Sequence, residues 1–136
     1  MSDELIKDVL QNARLIAVVG FSANAVRPSH KVARFLQSKG YRVIPVNPGL
    51  AGQEHLGETV YASVADIPEP VDMVDIFRAS EFVSGVVDEA LDVASVRVIW
   101  TQLGVRDDAA ADRARAAGRS VVQDHCPAIE HPRLFG

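Results

Sequence analysis

The sequence predicts an α/β fold, a doubly wound and mainly parallel sheet of five strands with helices on both faces. Three observations carry that expectation. Short Val/Ile-rich runs, "LIAVVG" (15–20), "YRVIPV" (41–46), "VDMVDIF" (71–77), "VRVIW" (96–100) and "RSVVQ" (119–123), recur along the chain. Most are continuous in apolar character rather than alternating, as strands covered on both faces are. The intervals between them have room for helices, and alternation of strand and helix builds right-handed βαβ units.

Each element has its own warrant. A leading helix from about Ser2 to Asn12 brings Ile6, Val9, Leu10 and Ala13 to one side, and the first strand follows at once. Ser29 is placed to cap the next helix, whose Val32, Phe35 and Leu36 share a face and which Gly40 stops. After the second and third strands, Ser80 precedes a helix whose Val83, Val86, Val87, Ala90, Leu91 and Ala94 recur at intervals of one, three and four. Asp107 and Asp108 open the last predicted helix, Arg113 and Arg115 lie toward its end, and Gly118 closes it. The Rossmann-like strand order 3-2-1-4-5 is expected. In such sheets ligands bind beyond the carboxyl ends of the strands, where the winding reverses.

The chain has 136 residues, 48% of them hydrophobic, which suits one domain with a proper core. A net charge of -4 without a basic block argues against nucleic acid as a partner. No apolar run is long enough for a bilayer, and "MSDELIKDVLQNARL" lacks the character of a signal peptide. A cytoplasmic location is the expectation, and Cys126, the single cysteine, excludes an internal disulfide.

Four loops are then the ones to inspect. The first, "GFSANAVRPS", keeps one glycine, Gly20, of the three in a dinucleotide fingerprint. Ser22 and Asn24 can donate hydrogen bonds, a helix N-terminus favours anions, and Arg27 offers a fork suited to phosphate. In the second, Asn47 and Pro48 stand where an NAD enzyme wants an acidic residue. The rest of that loop either folds over a base or bridges to a short edge strand at "TVY". In "IFRAS", Phe77 is a candidate base-flanking ring or a core residue, and Arg78 a phosphate ligand or a solvated side chain. In "WTQLG", Gln102 can hydrogen-bond a ligand while Trp100 suits the core.

His125 next to Cys126 invites a nucleophile reading, but an isolated cysteine is more often a small buried hydrophobe. His125, Cys126, Glu130 and His131 have no zinc spacing, so neither a metal nor a catalytic residue is assigned.

Together, "VVGFSANAVRPSHKVARFL", "GYRVIPVNPG", "IPEPVDMVDIFR", "VIWTQLGV" and "DHCPAIEH" resemble the small stand-alone CoA-binding proteins. These are similar to the N-terminal Rossmann domain of the succinyl-CoA synthetase alpha subunit. The resemblance implies a site for coenzyme A or an acyl-CoA. Gly20, Phe21, Ser22, Ala23 and Asn24 would meet the CoA phosphates, with Arg27 adding charge. Asn47, Pro48 and Gly49 match the ligase Pro-Gly-Lys region, with Leu50 in place of the lysine. Phe77, Arg78 and Ala79 match the segment beside the pantetheine arm, and Gln102 and Gly104 match the Thr-Glu-Gly turn. The ligase's phosphorylated histidine belongs to a second domain, and its nucleotide site to a partner subunit, that this sequence does not match. Binding without catalysis is therefore expected, in a sensor, carrier or regulatory role, with a protein partner or homo-oligomer left open. An enzyme acting on an acyl-CoA thioester and a nicotinamide-nucleotide module are the alternatives.

Overall fold

The computed structural model describes residues 2–136. Its five-stranded parallel sheet is built from β1 (Leu15–Val19), β2 (Arg42–Val46), β5 (Met73–Ile76), β6 (Val98–Thr101) and β7 (Ser120–Val122), in the spatial order β2-β1-β5-β6-β7. A parallel bridge from Val46 to Tyr61 adds the "TVY" stretch outside β2. Counting that stretch as third recovers the expected order 3-2-1-4-5, continued by a sixth strand. The register aligns Ile16 with Val43 on one side and Met73 on the other, and Met73 with Val98.

All five residues of β1 are buried, because helices cover both faces of the sheet. Ile16 and Val18 point into one layer with α1 (Asp3–Asn12), α2 (Pro28–Ser38) and α5 (Pro127–Phe135), where Ile6, Leu10, Leu36, Met73 and Trp100 are packed. Ala17 and Val19 point into the other, with α3 (Ser80–Leu91) and α4 (Asp108–Ala116), among Ile44, Val74, Val87, Ile99 and Ala114. The alternation is the period of two that a strand imposes.

Several local details depart from the sequence expectation. Ser2 caps α1, accepting the Leu5 N–H, but the residue before α2 is Arg27, with Pro28 in the first helical position. Ser29 is already inside the helix, and its hydroxyl accepts the Ser22 N–H of the preceding loop. Between β2 and β5, Glu54–His55 (β3) and Glu58–Thr59 (β4) form a small antiparallel hairpin. The final helix, α5, begins at Pro127 and carries Pro132 inside it.

Candidate functional site

Helices α2, α3, α4 and α5 each follow a strand of the parallel sheet, so their N-termini gather at its carboxyl edge. N–H groups of a first helical turn lack intrahelical partners and carry partial positive charge. The edge is thus suited to an anion before any side chain is considered.

The β1–α2 loop turns at Gly20, where φ is +88°, a region that side-chain-bearing residues rarely adopt. A Cβ at this position would lie 3.2 Å from the Phe77 carbonyl carbon and 3.3 Å from Arg78 Cδ. Glycine therefore lets the loops after β1 and β5 close on each other. Beyond it the loop is held by its own polar groups. Ser22 Oγ accepts the Asn24 N–H at 3.1 Å, and Asn24 Oδ1 accepts the Val26 N–H at 3.1 Å. His30 Nδ1 donates to the Ser22 carbonyl at 3.0 Å, and its ring stacks on the fully buried Phe21. The Phe21 side chain therefore anchors the loop, and its backbone N–H donates to the Val46 carbonyl at 3.3 Å.

Asn47 joins this loop to the next. Its Nδ2 donates to the Phe21 carbonyl and its Oδ1 accepts the Gly49 N–H, each at 2.8 Å, which starts the short turn Pro48–Leu50. The amide is a clamp between loops.

Two compartments that share Gly20, Asn47, Gly49 and Phe77 open above this crossing. The first, about 610 Å³, runs along Phe21, Ser22, Ala23, Asn24 and Arg27 to Leu50. The second, about 550 Å³, lies between Pro48, Arg78 and Ala79, and is walled by Ala62, Phe82, Val86 and Glu89. Arg27 is exposed, and the Arg78 guanidinium lies 4.4 Å from the Phe82 ring centroid. Neither forms an ion pair among the described residues. Two uncommitted cations flanking one groove suit an elongated polyanion with an apolar portion.

The structure thus brings twelve of the fourteen expected site residues to the groove. Gln102 and Gly104 line neither compartment; they lie past β6, where Gln102 is 7% exposed and the Gly104 N–H donates to Asp124 Oδ1. Farther along the edge, the Gln123 amide and the Arg106 charge hold the Asp108 carboxyl below its ordinary range. Sequence reasoning missed Ala62, Val86 and Glu89 as groove walls. Glu89 carries the one available signal, a carboxylate on the helix following the third loop; its Oε1 accepts the Val64 N–H at 2.8 Å.

His125 turns Nδ1 to the Gln123 carbonyl at 2.6 Å and Nε2 toward Glu130 at 3.8 Å. The Cys126 thiol is buried, and the residue precedes α5. Among the described residues no group of three His, Cys, Asp or Glu side chains could hold a metal ion, and no helix is long and apolar enough to cross a membrane.

A family described as "CoA binding domain" matches residues 14–132. The Bacillus subtilis (strain 168) uncharacterized protein YneT is 39% identical over 126 residues, covering 93% of this chain and 91% of that protein. The structure of cell-free ID.343 from Thermus thermophilus aligns with TM-score 0.93 at 39% identity, over 99% of this chain and all of the other. The apo form of dinucleotide forming acetyl-coenzyme A synthetase 1 from Ca. Korarchaeum cryptofilum aligns with TM-score 0.70 at 28% identity. That alignment covers 85% of this chain but 27% of the synthetase.

Proposed function

The chain belongs to the CoA-binding domain family, and from that premise we propose that it binds coenzyme A or an acyl-CoA in the groove between the loops after β1, β2 and β5. The observation that carries this reading is the pair of unpaired cations, Arg27 and Arg78, on a continuous groove with two compartments. In this reading the phosphates lie against the Ser22–Arg27 loop and the α2 N-terminus, where backbone dipoles and a guanidinium reinforce each other. Phe77, Phe82 and Val86 give the less polar parts of the ligand a surface to cover.

The role is binding without turnover, as expected of a sensor, a carrier or a regulatory module. The orientation of His125 supports this: its ring faces Gln123 and Glu130 instead of forming a base–nucleophile pair with Cys126. Asn47 supports CoA over a nicotinamide nucleotide, because its amide is engaged by Phe21 and Gly49 and carries no carboxylate for ribose hydroxyls. Calorimetric titration with CoA, acetyl-CoA, NAD and ADP side by side tests the reading. Saturable binding of CoA or acetyl-CoA with much weaker NAD is expected. No CoA binding, or equal affinity for NAD, overturns it.

A further inference from the structure

Four buried side-chain atoms among the described residues have no hydrogen-bond partner: both carboxyl oxygens of Asp75, Oε1 of Gln102 and Nδ1 of His131. His131 sits apart, at the other edge of the sheet with Lys39 and Tyr41. The other three atoms belong to β5 and to the residue that immediately follows the neighbouring strand β6. Asp75 lies in β5 directly between Val18 of β1 and Trp100 of β6, with no solvent exposure. Gln102 is two residues beyond Trp100, with its N–H bonded to the Ile76 carbonyl, so it lies on the face that Trp100 and Asp75 share. With strands about 4.8 Å apart and about 3.3 Å of rise per residue, a residue and the diagonal neighbour two positions on along the next strand lie about 8 Å apart, a gap a glutamine side chain can span.

The layer over Asp75 supplies no counter-ion. Helix α1 contributes Ile6, Val9 and Leu10, and α2 contributes Val32, Ala33 and Leu36 with one titratable group, His30. His30 Nδ1 is engaged by the Ser22 carbonyl. The α5 side brings Cys126, Glu130 and His131, and Glu130 is paired with Arg133. An ionised Asp75 would be a buried charge without a cation or donor, a state that desolvation strongly disfavours. Burial pushes its carboxyl well above the ordinary range.

We propose that Asp75 is a positioning residue that carries a proton at neutral pH, donates it as an O–H hydrogen bond to Gln102 Oε1, and so fixes the Gln102 amide at the carboxyl edge. One proton converts unmatched acceptors in β5 and just past β6 into a donor and an acceptor, and neither member requires a cation. The inference does not depend on the identity of the groove's ligand.

Infrared difference spectroscopy of the ligand-free protein tests it. At neutral pH, a carboxylic-acid C=O band is expected in the wild type, absent from Asp75→Asn, and shifted to higher frequency in Gln102→Met, where the acceptor is gone. Asp75→Asn keeps an N–H donor for Gln102, and circular dichroism confirms that both variants are folded. Carboxylate bands from Asp75 at neutral pH, as when a turned Gln102 amide donates to an ionised partner, overturn the proposal. An acid band unmoved by Gln102→Met also overturns it.

Urea unfolding across pH gives a second readout. The folded state holds a proton that the unfolded chain releases above its ordinary value, 3.8, so wild-type stability falls as pH rises from there toward the raised folded value. Asp75→Asn lacks that contribution, so its stability relative to wild type should rise with pH through the window. A difference independent of pH overturns the proposal.

Discussion

At the amino edge of the sheet, several charged groups are matched within the chain. Arg42 lies between Glu58 and Glu69, and Asp72 Oδ2 accepts the N–H groups of Arg14 and Leu15. Arg119 donates to the carbonyls of Val96, Ala117 and Leu91, the last two at or beside the C-terminal ends of α4 and α3. Cations belong there, because helix C-termini present carbonyl oxygens and partial negative charge. At the carboxyl edge, Arg27 and Arg78 have no carboxylate, and the helix N-termini point toward an open groove. The two edges contain the same residue types in different states of completion. The cleft of Arg14, Lys39 and Arg42 near Tyr41 lies at this amino edge, and there Arg42 is already committed to Glu58 and Glu69.

The contrast can be broken or sharpened by substitution. The largest effect is expected at Arg27: Arg27→Ala should weaken CoA binding by about 1.5–3 kcal/mol in calorimetry, as loss of a charge-assisted phosphate contact does. Unchanged affinity would remove Arg27 from the site. Gly20→Ala should lower unfolding free energy by about 1–3 kcal/mol in urea titration, since it combines a positive φ with crowding against Phe77. Wild-type stability in that variant would mean that the loops need no such close approach. Asn47→Ala removes two loop-holding hydrogen bonds and should cost about 1–2 kcal/mol, with faster amide exchange at Gly49. The smallest effect belongs to the amino edge, where Arg42→Ala breaks exposed ion pairs and should cost less than about 1 kcal/mol, with CoA affinity unchanged. A loss of affinity there would show that the edges are coupled.

Much of the fold was legible because its signals are local. The runs around Ile16, Ile44, Val74 and Ile99 announced buried strands, and Gly20 marked the loop that needs a positive φ. The groove's first compartment was legible for the same reason, since Ser22, Asn24 and Arg27 fall within one six-residue stretch. What escaped depends on tertiary placement. Glu89 reaches the groove because α3 packs beside the β5 loop. The α5 helix was obscured by Pro127 and Pro132, although the former sits in the first helical position, where its missing N–H costs nothing. Asp75 was visible within "VDMVDIF", but only the register of β1 and β6 reveals that nothing answers its carboxyl group.

Trp100 gives this arrangement an optical consequence. It is the single tryptophan, fully buried, with its indole N–H donated to the His125 carbonyl, and Asp75 is its partner in the strand register. The indole excited state has a larger dipole than the ground state, so a charge appearing at Asp75 would shift its emission. The fold therefore contains its own fluorophore for reporting the electrostatic state of the sheet's interior, and no label has to be introduced to read it.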